Sequence, residues 1–291
     1  MKLIADSGST KTDWCLVDET GIVKRMTTQG INPIHQTKEE IREILKSSPD
    51  PSQGGETCPP SPITHHPSPQ IFFYGSGVTP LQREPMCQLL CEAFPEASEV
   101  TAESDLLGAA RALCQHQEGV ACILGTGANS CLYDGQQIVK NTPALGYILG
   151  DEGSGAVLGI RFLNALYKGA LPDSLRREFE TQMGLSMSDV INRVYRQPLA
   201  NRWLASLSTF IHSHVVLPEV SAMVTENFRC FIRRNVLPYG RKDLPLNAVG
   251  SIAWHYRDQL QEAAEVEDFT LGTVVQSPMD GLISYHLTPT T

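Results

Sequence analysis

The chain lacks the marks of several large protein classes. No stretch approaches the roughly 18 apolar residues that a membrane-spanning helix needs, and Asp6 interrupts the first apolar run too early for a secretory core. The eight cysteines include no Cys-x-x-Cys pair, and several sit in apolar segments. They read as reduced, mostly buried thiols with no metal site. Basic residues are outnumbered, 23 Lys and Arg against 32 Asp and Glu, for a formal net charge of −9. That balance argues against a general nucleic-acid binder, which carries a basic stripe. Two familiar nucleotide signatures are also missing: Gly-x₄-Gly-Lys-[Ser/Thr], and Gly-x-Gly-x-x-Gly opening a helix in an N-terminal βαβ unit. These absences predict a cytoplasmic protein with neither a membrane nor a nucleic-acid partner.

What is present is material for two ordinary domains: 291 residues, of which 41% are hydrophobic and 19% charged. The first 30 residues alternate as strands. Lys2–Ala5 is a short apolar strand, Asp6-Ser7-Gly8-Ser9-Thr10-Lys11 a turn of small and polar residues, and Asp13–Val17 a return strand. Asp18–Gly21 turns the chain into a third strand, Ile22–Thr27. Around residue 120 the pattern recurs. Val120–Leu124 leads into Gly125-Thr126-Gly127-Ala128-Asn129, then Ser130–Tyr133, then Asp134-Gly135 and Gln136–Lys140. A recurrence spaced by more than a hundred residues is too long for a solenoid. It predicts two domains that each begin with a β-meander.

Turns of this composition suit phosphate. Glycine lets the backbone approach a ligand, neighbouring N–H groups can converge on an anion, and Ser or Thr hydroxyls add donors. An acid at the strand end can position Mg²⁺. One such hairpin is usually only a hairpin; one in each half is a sharper signal.

Thr37–Ser48 reads as an amphipathic helix with Thr37 as N-cap and Glu40 in a capping box. Residues 49–70 form a Pro-, Gly- and Ser-rich insertion holding His65-His66, read as a surface excursion rather than a metal site. Ile71–Tyr74 is a buried strand, Pro80–Phe94 a helix, Val100–Ala102 a strand, and Leu106–Cys114 a helix following Asp105. Gly150–Gly155 follows a strand-like stretch and opens a helix, Ala156–Lys168. Residues 172–237 are mainly helical, and His212-x-His214 cannot share one helical face, so it receives no role. Leu246–Val249, Gly250-Ser251 and Ile252–Glu265 repeat strand, glycine turn and helix; Phe269–Gln276 and Pro278–Leu287 close the chain as strand and helix.

In order, DSGSTKTDW at Asp6–Trp14, LGTGAN at Leu124–Asn129, GDEGS at Gly150–Ser154 and Val249-Gly250-Ser251 resemble the phosphate-1, phosphate-2, connecting and adenosine motifs of the BadF/BadG/BcrA/BcrD-type ATPases. The likeness is greatest to the N-acetylglucosamine kinase branch, and it runs almost end to end. It implies an α/β fold of two ribonuclease H-like (actin-like ATPase) domains, 1–115 plus 277–291 and 116–276, with an interdomain nucleotide cleft. It further implies an ATP- and Mg²⁺-dependent kinase acting on an amino sugar, N-acetylglucosamine or a close relative, at the 6-hydroxyl. Asp105 would be the catalytic base and Asp6 would orient the metal. Gly8, Ser9, Thr10 and Lys11 would contact the β- and γ-phosphates. Thr126 and Gly127 would grip ATP, and Gly250 and Ser251 would receive its adenosine end. Asn32, Asn129 and Asp151 would bind the sugar. Leu145 stands where the kinase branch usually carries a tryptophan, which removes a stacking ring. Two alternatives are an activator-type ATPase with an iron–sulfur cluster and a sugar or nucleotide sensor. Cys122, Cys131 and Cys230 do not fit the first, and the retained Asp6, Asp105 and Asp151 count against the second. The outer strand edges and final helix could support a homodimer.

Overall fold

A computed structural model describes residues 1–8, 10–19, 21–49 and 68–288. Ser9, and the insertion from residue 50 to 67 with its His65-His66 pair, lie outside the described residues. In chain order the strands are β1 Lys2–Ser7, β2 Lys11–Asp18, β3 Gly21–Gln29, β4 Gln70–Gly75, β5 Glu99–Ser104, β6 Glu118–Leu124, β7 Ala128–Asp134, β8 Ile138–Thr142, β9 Leu246–Val249 and β10 Leu271–Val275. The helices are α1 Lys38–Leu45, α2 Pro80–Ala93, α3 Asp105–Cys114, α4 Gly146–Leu149, α5 Gly155–Tyr167, α6 Asp173–Met183, α7 Met187–Arg196, α8 Ala200–Ser206, α9 Ser208–Ser213, α10 Pro218–Phe231, α11 Ser251–His255, α12 Arg257–Val266 and α13 Met279–Leu287.

The chain divides into two compact units, Met1–His116 with the segment from Pro278 onward, and Gln117–Ser277. Each holds one five-stranded sheet, ordered β3-β2-β1-β4-β5 in the first and β8-β7-β6-β9-β10 in the second. The plan is the same in both: an antiparallel meander of three strands, then two strands parallel to the first. The twofold meander read from the sequence is therefore a real duplication of topology.

The alternation of side chains explains how the first sheet is covered. Leu3, Ala5, Trp14, Leu16, Ile71 and Phe73 share one buried face with Ile41, Ile44 and Leu45 of α1 and Met86, Leu89 and Leu90 of α2. The opposite face buries Ile4, Cys15, Val17 and Tyr74 beneath Met279, Leu282 and Ile283 of α13. Trp14 anchors the first layer, its ring 6.1 Å from Phe73 and 6.3 Å from Phe94, while its Nε1 donates to Thr28 Oγ1 at 2.9 Å. Complete burial of one such side chain contributes roughly 1.5–3 kcal/mol. In the second unit the helices supply a larger core, with Phe162, Phe179 and Phe210 packed edge-on or tilted at 5.3–5.7 Å.

Three local expectations change. Residues 144–149 form a turn and the short α4 instead of a strand. The helix expected over 252–265 is two, because Tyr256 (φ −112°, ψ 35°) leaves the helical range and donates its buried hydroxyl to Ser208 O at 2.6 Å. Inside the helical stretch 172–237, α10 runs directly into a π-helical turn, Ile232–Val236. The capping box on α1 forms as read, with Thr37 accepting from Glu40 N–H and Glu40 answering to Thr37 N–H.

Candidate active site

In the first unit, register decides what meets. Ser7 of β1 lies opposite Gly75 of β4, and Gly75 opposite Ser104 of β5, all three strands running parallel. Asp6 and Asp105 therefore stand at the same end of the sheet, with a strand between their own. Two strand spacings amount to about 10 Å. Gly75 occupies the middle position without a side chain, and a Cβ there would lie 2.4 Å from the Phe73 ring.

The acids influence one another. Asp6, half-buried, has its pKa pushed up to about 7 by burial first, then by Asp105 and Asp13, with Lys11 opposing. Asp105 is also raised, by burial, against hydrogen bonds from backbone N–H groups. It is not the N-cap of α3: Ser104 is, accepting from Leu107 N–H at 3.2 Å, while Asp105 occupies the first helical position and accepts from Leu106 N–H at 2.9 Å. A carboxylate cluster with elevated proton affinity in a glycine-lined end is a functional-site signature. It also suits a cation, since a positive charge would relieve both burial and mutual repulsion. Among the described residues no three His, Cys, Asp or Glu side chains converge on a metal.

The β1–β2 hairpin is closed by Gly8 N–H to Lys11 O at 3.0 Å, and Lys11 pairs with Asp13 at 2.6 Å. Gly8, Thr10 and Lys11 are exposed. Buried Ser7 ties the hairpin to the loop at Asn32: it accepts from Ile31 N–H at 2.9 Å, donates to Ile31 O at 3.0 Å and lies 2.7 Å from Thr12 Oγ1. Asn32 is buried beside Gly77, where a Cβ would lie 2.2 Å from its Oδ1. That oxygen accepts from Ile34 N–H at 3.0 Å. The structure thus gathers Asp6, Gly8, Thr10, Lys11, Asn32 and Asp105 around one end of the first sheet.

In the second unit the β6–β7 hairpin closes by Gly125 N–H to Gly127 O at 3.0 Å. Its carbonyls turn toward α5, where Gly155 N–H donates to Gly125 O and Ala156 N–H to Thr126 O. The Asp151 carboxylate lies against Gly127, where a Cβ would sit 3.0 Å from its Oδ2, and burial lifts its pKa to about 6 against the lowering effect of the Ala128 and Gly146 backbone. Its backbone is left-handed, φ 52°. Asn129 Oδ1 is committed to Ser130 N–H and Asn141 Nδ2, both at 2.9 Å, which leaves its amide end as the donor. Leu145, in the tryptophan position, is exposed. Thr126, Gly127, Asn129 and Asp151 therefore share one end of the second sheet.

Gly250 follows β9 with φ 126°, and a Cβ there would lie 2.3 Å from Leu124 O, so the Val249-Gly250-Ser251 turn presses directly on the base of the β6–β7 hairpin. Beside it lies a cavity of about 280 Å³ lined by Ser208, Thr209, His212, Ser251, Ile252, His255 and Tyr256. The sequence left His212 without a role because His214 lies on another face. His214 does turn away, to Phe210 O and Glu178, whereas His212 enters this cavity with its Nε2 3.0 Å from His255 O. No spacing rule could have linked residues 208–212 to 251–256.

Two sheets of this order, each carrying Gly/Ser/Thr hairpins at the carboxyl ends of its parallel strands, define the two-domain α/β fold of sugar kinases and actin-like ATPases. No family model matches the sequence, and no curated protein does. Among solved structures, the putative N-acetylglucosamine kinase of Porphyromonas gingivalis is 46% identical, with 99% of each chain covered and a TM-score of 0.90. The corresponding Chromobacterium violaceum protein is 17% identical over 98% of each chain, TM-score 0.68. A ROK family glucokinase from Streptomyces griseus, solved with glucose and AMPPNP, is 13% identical over 98% of this chain and 97% of its own, TM-score 0.56. These last two share the fold. The chain belongs to the family of the Porphyromonas gingivalis protein.

Proposed function

We propose that the protein is an ATP- and Mg²⁺-dependent sugar kinase that phosphorylates an amino sugar, N-acetylglucosamine foremost, at the 6-hydroxyl. The observation that carries this reading is the pairing of Asp105 with Asp6 at the glycine-lined end of the first sheet, in a chain of this family. Asp105 accepts the proton of the sugar hydroxyl as that oxygen attacks the γ-phosphorus. The bond from the γ-phosphorus to the bridging oxygen breaks, and ADP leaves with the electron pair. A carboxyl raised by burial is a better proton acceptor than an exposed one. Asp6 is the residue that would hold Mg²⁺, which would supply charge neutralisation for the transferring phosphate.

Gly8, Thr10 and Lys11 are assigned to phosphate contacts, as is Ser9 from the sequence alone. Thr126 and Gly127 are assigned to the nucleotide, and Gly250, Ser251 and the cavity beside them to its nucleoside end. Asn32, Asn129 and Asp151 are assigned to the sugar. Asn129 offers an amide donor, and Asp151 a carboxylate acceptor. Without a ring at Leu145, apolar contact to an N-acetyl group falls to exposed aliphatic side chains, Leu145 and Ile148.

The test is turnover with Mg·ATP against N-acetylglucosamine, N-acetylmannosamine, N-acetylmuramic acid, glucosamine and glucose, following ADP and sugar phosphate together. Asp105→Asn should lower kcat by roughly 10²–10⁴-fold with the fold intact. ATP hydrolysis without sugar dependence, or an undiminished variant, would remove the kinase reading.

A further inference from the structure

The Asp151 loop is gripped from behind by a helix that the reaction chemistry does not otherwise use. Asn227 of α10 is wholly buried and faces the loop backbone, its Nδ2 3.3 Å from Ser154 O and its Oδ1 3.4 Å from Gly153 N. Where α10 passes into the π-helical turn, Arg234 Nη1 lies 2.6 Å from Glu152 Oε1 and Asn235 Nδ2 3.4 Å from Glu152 Oε2. Burial would raise the Glu152 carboxyl, yet the Arg234 and Asn235 hydrogen bonds hold it below its ordinary value. Gly153, at φ 81°, lets Phe231 pack directly beneath the loop, since a Cβ there would lie 2.8 Å from Phe231 Cβ.

The π turn explains how one short segment serves two sides. An i→i+5 turn frees a carbonyl from the α-helical ladder, and such turns concentrate at functional sites. The Asn235 carbonyl accepts from Ser130 Oγ of β7 at 3.2 Å and Thr142 Oγ1 of β8 at 2.9 Å. The backbone of the turn is thereby fastened to the meander while its side chains reach the loop. Glu152 is occupied as a tether.

We propose that Asn227, Arg234 and Asn235 are positioning residues for Asp151, clasping Glu152, Gly153 and Ser154 so that the left-handed Asp151 keeps its carboxylate against Gly127 of the β6–β7 hairpin. The consequence for sugar affinity rests on the reading of Asp151 as a sugar ligand; the geometric claim does not. Arg234 is the preferred probe because its side chain is 70% exposed, so its loss should spare the fold.

The experiment uses the full chain with ¹³C-carboxyl-labelled aspartate, Asp151→Asn identifying the Asp151 signal. The parent carboxyl should titrate near pH 6. In Arg234→Gln it should fall toward the ordinary carboxylate range as the loop opens to water, and Arg234→Lys should restore it. A purely electrostatic role would move it up, because Glu152 would lose its counter-charge. A purely structural role would lower thermal stability and leave the titration where it was. Either result overturns the clasp. In turnover, Arg234→Gln should raise the sugar KM about tenfold with kcat and the ATP KM nearly unchanged. If Asp151→Asn leaves the sugar KM untouched, the sugar-ligand assignment fails, while the titration still decides the clasp.

Discussion

In the first unit, the strand entering the glycine hairpin carries its own acid: Asp6 is the penultimate residue of β1. In the second, β6 runs through Ile123 and Leu124 into Gly125, and the acid arrives on a separate loop at Asp151. The first arrangement needs only β-sheet register to place its carboxylates. The second needs a left-handed residue, a buried asparagine and a π turn. One topology has therefore been furnished twice, once by strands and once by side-chain scaffolding. Asp6 on β1 and Asp105, directly after β5, are placed by strands held in many backbone hydrogen bonds, whereas the loop-borne acid depends on a few contacts that single substitutions can release.

The largest effect that separates the units lies in a pair of topologically equivalent glycines. Gly75 ends β4 opposite Ser7, and Gly250 follows β9 next to Leu124. A Cβ at Gly75 meets side chains and no backbone, the Phe73 ring at 2.4 Å and Val78 Cγ2 at 3.1 Å. A Cβ at Gly250 meets the Leu124 carbonyl at 2.3 Å, in a backbone conformation with φ 126°. Gly250→Ala should cost roughly 3–5 kcal/mol, and Gly75→Ala roughly 1–3 kcal/mol. Equilibrium urea unfolding of each variant against the parent checks this; equal losses would show that the two turns are not differently built.

That contrast also bears on what the sequence could reveal. DSGSTKTDW and LGTGAN were legible because a strand followed by a small polar turn is local information, and its repetition exposed the duplicated sheet. Asp105 was legible as an acid at a strand-to-helix junction, although Ser104 and not Asp105 takes the capping role. The GDEGS loop was legible as a ligand-facing helix start, but not its support. Asn227, Arg234 and Asn235 sit in a helical run of mixed polarity, 73 to 83 residues downstream, where nothing marks them as partners of Glu152–Ser154. The break at Tyr256 was hidden because its cause, the Ser208 carbonyl, is 48 residues away in the chain. Long-range polar pairings leave no periodicity behind.

A smaller difference is in response to acid. In the first unit, α13 places His286 against Phe72 at 3.9 Å and Tyr74. Arg111 donates to the Tyr74 hydroxyl at 2.9 Å, and the same hydroxyl lies 2.9 Å from His286 Nε2. The imidazole is held neutral by its surroundings. Burial first, then Arg111, Lys2 and His116, bring its pKa down from 6.5 to about 3. The unfolded chain binds this proton below pH 6.5 and the folded chain does not, so stability is full above that pH. It should decline by at most about 1.4 kcal/mol per pH unit as pH falls toward 3. His286→Gln should flatten that limb of the pH–stability curve; an unchanged slope would place the acid sensitivity elsewhere.

The smallest expected effect compares the helix caps beside the two acids. Ser104 caps α3 next to Asp105, and Ser154 caps α5 three residues after Asp151, accepting from Val157 N–H at 3.1 Å. Replacing either by Ala removes one hydrogen bond to an orphan N–H and should cost about 1 kcal/mol, with buried Ser154 at the upper end of the range. The functional consequences should differ although the stabilities nearly match. Asp105 follows a strand whose register survives Ser104→Ala, so kcat should fall by less than about threefold, in step with a small loss of order in the first turn. Ser154→Ala keeps the backbone carbonyl that Asn227 holds but removes the Oγ that ties this end of the loop to Val157 N–H, and that loosening should raise the sugar KM more than it lowers kcat. Matched stabilities with opposite kinetic signatures would show that the strand-held acid tolerates the loss of its cap and the loop-held acid does not. Identical kinetic profiles would mean that both acids are fixed in the same way, and the distinction between the units would then be one of sequence and not of mechanics.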